Sequence, residues 1–213
     1  FASVGATVCP WTSSKPPGIF GTESPGTGTG IRALRDITDG TSNTIAFGEW
    51  RMGDFDRNKL SLTDGINLRT YTVAGIGSWN GSSSIAPFNP NLAVGLQNFT
   101  TFLQTCTGAA KGSVGTNNNK SRQGNTWMMA MLGDTLGTTL LAPNPPYYNC
   151  NLEPWGGDMD APGMWNLSSY HPGGANIAMA DGSVKFLKSS TNMQTVWALG
   201  SRNGGEVISS DSY

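Results

Sequence analysis

The chain has 213 residues, 13 Lys+Arg against 14 Asp+Glu, and a single histidine. This near-neutral balance, with no basic stripe interleaved with aromatics, argues against a nucleic-acid partner, and without a Lys/Arg cluster or basic amphipathic helix along the chain an anionic membrane surface is equally unsupported. Seven Trp, eight Phe and five Tyr argue against a disordered chain, whereas 29 glycines and only 13% charged residues, about half the usual share, point to a loop-rich, β-leaning extracytoplasmic protein.

Residues 1–30 carry Pro10, Pro16, Pro17, Pro25 and many glycines, so they read as loop with an edge strand near Ser3 to Val8. Phe1 to Val8 is apolar in places but far shorter than the roughly 20 residues a membrane-spanning helix needs. The chain then reads as a strand or single helical turn over Ile31 to Ile37, followed by Thr38 to Asn43, whose Asp39-Gly40 and hydroxyl side chains suit a turn. Thr44 to Trp50, which includes Glu49, is a strand apolar enough for the centre of a sheet.

Residues 54–165 read as a loop-rich insertion that alternates short strands, such as Arg69 to Val73, with Gly/Ser/Asn/Pro loops. Within it, Leu92, Leu96, Phe99 and Leu103 recur at helical spacing and predict a helix over Leu92 to Cys106, weakened by Gly95 and two threonines. Lys111 to Ser121 has the composition of a floppy loop. Asn125 to Leu132 is strongly apolar and predicts a buried strand, with Trp127 in the core.

Residues 168–208 read as a terminal hairpin and short helix. His171-Pro172-Gly173-Gly174 forms a corner, and Asn176 to Ala180 and Ser183 to Leu187 flank Asp181-Gly182, a signal for a two-residue type I′ turn with both central residues at positive φ. The expected inward face is Ile177, Met179, Val184 and Phe186. A final helix over Asn192 to Gly200 turns Met193, Val196, Trp197 and Leu199 inward and ends at Gly200.

The three cysteines lack Cys-x-x-Cys spacing, which argues against structural zinc. Cys106 and Cys150 flank the Gly/Asn/Ser-rich middle, where a disulfide would close a loop of about 45 residues and stabilise by about 2–4 kcal/mol. Cys9 is then left to pair with a cysteine preceding Phe1, to bridge two chains, or to stay a buried thiol.

His171 has Ser168, Ser169 and Asp181 nearby in sequence, but no Gly-x-Ser-x-Gly turn, so a structural imidazole bonded to backbone or to Asp181 is favoured over a catalytic base. Glu153, Asp158, Asp160 and Asp181 are candidate oxygen ligands for calcium, with Asp158 and Asp160 spaced as in some calcium loops. Trp11, Trp79, Trp155 and Trp165 lie in Gly/Pro/Asn-rich loops, where Trp79, Trp155 and Trp165 are candidate glycan-stacking residues. A carboxylate-pair hydrolase would draw on Glu49, Asp158 or Asp160.

The segment around His171, nine residues and then Asp181-Gly182, resembles the terminal signature of the domain of unknown function 1559 family, the prepilin-like proteins abundant in planctomycetes. Asp36 to Glu49, Pro143-Asn144 followed by Cys150, and Leu199 to Glu206 resemble its other segments in the same order. The resemblance implies a β-rich α+β globular head over residues 1–213, with a mainly antiparallel sheet, few short helices and long Gly/Asn/Ser-rich loops. His171, Asp181, Gly182, Asp39, Gly40 and Glu49 would be its structural motif residues. Family members carry a basic leader and a long apolar N-terminal helix, so the expectation is a head belonging to a longer protein. The implied role is non-enzymatic: a pilin-like or pseudopilin-like subunit of a bacterial surface filament or secretion apparatus, partnered by copies of itself or other pilin-like subunits and reaching the membrane only through such a helix. The alternative is a secreted glycan-binding module, with calcium.

Overall fold

The computed structural model describes residues 1–8, 17–21, 32–70, 72–73, 77–78, 93–152 and 163–209. In chain order these hold β1 (Ala2–Ser3), a 3-10 turn (Leu34–Asp36), β2 (Ile45–Gly48), β3 (Gly65–Asn67), β4 (Thr72–Val73), β5 (Gly77–Ser78), α1 (Ala93–Ser113), β6 (Asn119–Lys120), β7 (Leu136–Gly137), β8 (Asn149–Asn151), β9 (Gly163–Met164), β10 (Gly174–Met179), β11 (Val184–Lys188) and α2 (Met193–Gly200). A five-stranded sheet runs β11-β10-β2-β1-β7, a four-stranded sheet β6-β3-β8-β9, and β4 pairs with β5. All pairings are antiparallel except β1 with β7 and β3 with β8, which makes the α+β, mainly antiparallel architecture expected from the sequence.

Ile45 and its neighbours do occupy the sheet centre, between β10 and β1. The first strand, expected at an edge, is internal: Val4, Ala6 and Val8 are buried, and β1 pairs on both sides. Over Ile31 to Ile37 the helical-turn alternative holds for the described part, closed by Ala33 N–H donating to Asp36 Oδ2 at 2.9 Å.

Helix α1 spans 21 residues and runs past the expected end at Cys106. Its buried stripe, Phe99, Phe102, Leu103, Cys106 and Ala110, recurs every three or four residues, as burial of one face requires. Gly108 and Gly112 have open space around them and cost about 1 kcal/mol each relative to Ala. Two things offset that cost: the packed stripe, and the Cys106–Cys150 disulfide, which ties α1 to β8 across 44 residues. The threonines are accommodated at a slight cost to the helix: the Thr101, Thr105 and Thr107 hydroxyls donate to the carbonyls four residues earlier.

The stretch Lys111 to Ser121, expected to be floppy, begins in α1 and ends one residue past β6. Asn119 is buried and its Nδ2 donates to the Arg57 and Lys59 carbonyls at 3.1 and 2.8 Å. The buried strand expected over Asn125 to Leu132 is instead a series of turns. The Met131 carbonyl accepts from the Asp134, Thr135 and Leu136 N–H groups, which folds Leu132 into the core and leaves Trp127 79% exposed.

The hairpin forms, but with a three-residue loop. Gly182 N–H donates to the Met179 carbonyl at 3.0 Å, Met179 N–H donates to the Ser183 carbonyl at 2.8 Å, and only Gly182, at φ 85°, is left-handed. This is a type I turn closed by a glycine bulge rather than a type I′ turn. The extra loop residue pairs Ile177 with Lys185 and Ala175 with Leu187, and a one-residue change of register turns a strand over. Ile177, Met179 and Leu187 are therefore buried, whereas Val184 and Phe186, expected inward, are 69% and 43% exposed.

Helix α2 starts on Asn192, whose side chain accepts from Gln194 N–H at 2.8 Å, and buries Val196, Trp197 and Leu199. Gly200 is its last helical residue and not a left-handed cap. It is needed for proximity, since a Cβ there would lie 1.8 Å from Thr139 Oγ1. Trp197 donates to the Leu140 carbonyl at 2.8 Å and meets Phe99 edge-on at 5.6 Å, which docks α2 on α1.

Candidate functional site

Beyond β2 the chain delivers Glu49 to the corner that precedes β10, where three of the sequence segments singled out above converge. Its backbone is fixed first: Glu49 N–H donates to the Asn176 carbonyl and its own carbonyl accepts from Ser168 N–H, both at 3.1 Å. The carboxylate then gathers donors. Ser169 Oγ donates to Oε1 at 2.8 Å, Asn176 N–H and Nδ2 donate to Oε2 at 2.9 and 3.2 Å, and His171 Nε2 lies 3.6 Å from Oε1. Burial alone would raise the Glu49 carboxyl; the Asn176 N–H, the Ser169 hydroxyl and the adjacent His171 outweigh it and hold the pKa below the usual carboxylate range.

Asn144 supports this corner from the other side. It sits in left-handed backbone at φ 56°, its Oδ1 accepts from Ser169 N–H at 2.8 Å, and its own N–H donates to the Leu167 carbonyl at 3.1 Å. His171 is exposed; its N–H donates to Ser169 Oγ at 3.0 Å and its ring meets Phe186 edge-on at 6.5 Å. The expected pairing of His171 with Asp181 is corrected: six residues of β10 and a turn separate them, and Asp181 instead accepts from the Ser183 N–H and hydroxyl at 2.8 and 2.6 Å. Those two bonds, the hydroxyl first, lower the Asp181 pKa.

The arrangement has the members of a nucleophile–base–acid set in an unproductive order. A catalytic triad places the imidazole between hydroxyl and carboxylate, so that it takes the hydroxyl proton. Here Glu49 stands between Ser169 and His171, and the Ser169 proton is already committed to the carboxylate. The neighbouring pocket, lined by Arg51, Leu62, Asn144, Asn149, Asn166 and Ser168, has a cavity volume of about 10 Å³, room for about one water and none for a small-molecule substrate.

Asp39 forms a second clamp. Its carboxylate accepts from Gly204 and Gly205 N–H at 2.7 and 3.0 Å, its N–H donates to the Arg202 carbonyl, and Gly40, at φ 97°, turns its own carbonyl to accept from Asn43 N–H and Thr44 Oγ1. The Thr41 carbonyl accepts from Asp181 N–H at 3.1 Å, so the segment also holds the hairpin tip.

Of the other candidates, Trp165 is fully buried over Gly65, whose Cβ position would lie 2.2 Å from the indole, so it offers no face to a sugar. Cys9, Trp11, Trp79, Glu153, Trp155, Asp158 and Asp160 lie outside the described residues. Among the described residues no three His, Cys, Asp or Glu side chains gather closely enough to hold a metal ion, and no helix is long and apolar enough to cross a membrane. Reading the chain in order missed Asn176 as a donor to Glu49 and the stacking of Arg51 over exposed Tyr170 at 5.4 Å. No spacing rule links those positions.

Fold and site together define a disulfide-bridged α+β fold whose Glu49 and Asp39 carboxylates hold its own backbone. The chain belongs to the family described as Protein of unknown function (DUF1559), whose profile matches residues 10–194. No curated protein and no solved structure matches it.

Proposed function

We propose that this chain is the non-enzymatic, extracytoplasmic head of a pilin-like or pseudopilin-like subunit, and that it assembles with copies of itself or with related subunits in a bacterial surface filament or secretion apparatus. The observation that carries this reading is the outer face of the five-stranded sheet. Val184, Ala178 and Phe47 stand in register across three strands, with Val184 69% and Phe47 50% exposed and Phe186 beside them, while Ala2, next in the row, and Phe20, 5.1 Å from the Phe47 ring, pack against the interior and close its far end. An apolar row of this kind is the usual mark of a surface that packs against another. The disulfide is compatible with an oxidising, extracytoplasmic compartment. The engagement of Glu49, Ser169 and Asp39 in scaffold bonds supports a structural use of the motif residues over a catalytic one.

The test is the double substitution Val184→Glu with Phe47→Ser in the full-length protein. Because both side chains are half or more exposed and Phe47 gives up its contact with Phe20, stability should fall by about 1–2 kcal/mol with the fold retained, while recovery of the protein in the sheared surface fraction should collapse. Undiminished assembly by the folded variant would reject this face as the contact.

A further inference from the structure

Two loops distant in sequence are joined beside β6. Gly53 and Phe55 N–H groups donate to the Gln123 and Ser121 carbonyls, both at 2.9 Å, and Gln123 Nε2 donates to the Arg51 carbonyl at 3.1 Å. The first loop exposes Met52 and Phe55; the second exposes four consecutive apolar residues, Trp127 to Ala130, with Trp127 79% and Met128 77% accessible. Met129 is less accessible, at 41%, so the tip projects mainly through Trp127 and Met128. The Met131 carbonyl, which accepts three N–H groups, and Thr135 Oγ1, which donates to the Met129 carbonyl, fix its base.

The charges around this tip differ from those of the chain as a whole. Residues 51–59 and 120–134 carry Arg51, Arg57, Lys59, Lys120 and Arg122 against Asp54, Asp56 and Asp134, a net of +2 in a chain whose total is −1. Arg57 and Arg122 are exposed, Asp54 is also exposed but ion-paired with Lys59 at 3.5 Å, and Asp134 is buried, its Oδ1 accepting from Thr126 N–H at 3.2 Å. Chain order shows no such cluster because these cations come from two loops that only the fold brings together.

We propose that the Met52–Phe55 and Trp127–Ala130 loops form a contact for an anionic lipid surface, independent of the assembly reading above. An indole settles at headgroup level, with its ring among the first methylenes and its N–H in the wet layer. Methionine is flexible enough to fill irregular space between acyl chains. The exposed Arg57 and Arg122 supply charge complementarity, which acts within a Debye length of about 8 Å at physiological salt. Such a contact is shallow and reversible and adds surface residence without spanning the bilayer.

The experiment is co-flotation of the full chain with vesicles of phosphatidylcholine alone and of phosphatidylcholine mixed equally with phosphatidylglycerol, alongside quenching of tryptophan fluorescence by brominated lipid. Binding is expected on the anionic vesicles, not on phosphatidylcholine alone, weakening with added salt and falling about fivefold or more in Trp127→Ser/Met128→Ser and in Arg122→Glu. All three side chains are exposed, so these variants keep the fold, checked by their unfolding temperature. No flotation with the anionic vesicles, or flotation unaffected by the loop variants, would overturn the proposal. Self-association without lipid that the loop variants abolish, with no flotation, would overturn it in favour of a protein contact.

Discussion

Glu49 shows how far a motif position can be understood from sequence and where that ends. Its segment stands out in the chain, but its partners Ser169, His171 and Asn176 lie at least 120 residues away and are set by the strand register. Exchanging it for Gln keeps the size and removes the charge. We expect Glu49→Gln to cost about 1–2 kcal/mol at neutral pH, the worth of hydrogen bonds to a charged acceptor. Because the folded pKa is depressed, the contribution is present above the unfolded carboxylate pKa of 4.5 and is lost as pH falls through the lower folded value. The gap between wild type and variant in thermal unfolding should therefore close on acidification; a constant gap would refute the assignment.

Asp64 gives the opposite sign. It is buried in the turn before β3, and burial pushes its pKa up to about 6, with Asp54 adding to the rise and Ser61 N–H, Asn119 and Lys59 opposing it. The folded state then holds the proton more tightly than the unfolded state, so this residue makes stability fall as pH rises from about 4 through about 6. Asp64→Asn should remove that slope and raise the unfolding temperature at pH 7, where the native carboxylate is ionised. A lower unfolding temperature with the slope intact would contradict the account. Nothing in the sequence marks Asp64, because the burial that shifts it is made by β3 and β6.

At the scale of elements, local patterns carried the long ones. The stripe of α1, the buried Val196, Trp197 and Leu199 of α2 and the two apolar runs around Asp181-Gly182 are visible because each is a pattern carried by several neighbouring residues. The hairpin also shows the limit: one loop residue more than the Asp-Gly signal implies, and Val184 and Phe186 face out. Gly182 is open on all sides, so its requirement is conformational alone. Gly182→Ala should cost about 1–2 kcal/mol, as a left-handed residue with a Cβ does, and Gly182→Asn distinctly less. Equal stability of all three would mean that the loop is not held at positive φ. The exposed Trp127 run failed for a related reason: apolar content predicted burial, but the backbone bonds to Met131 O bent the chain before a strand could pair.

At the scale of the molecule, the α+β class and the Cys106–Cys150 bridge were legible, the latter from the composition between the two cysteines. The four-stranded sheet was not. Its strands are two or three residues long, and its parallel β3–β8 pair joins segments more than 80 residues apart, too short for a periodic signal and too distant for a local one. The family match fixes membership, while the exposed face of the five-stranded sheet carries the assembly reading. Its most direct test is electron cryo-microscopy of the cell-surface fraction that contains the native protein. Helical filaments whose subunits pack through the Phe47–Val184 face are the expected result; recovery of the native protein only as isolated heads, with that face open to solvent, would contradict it.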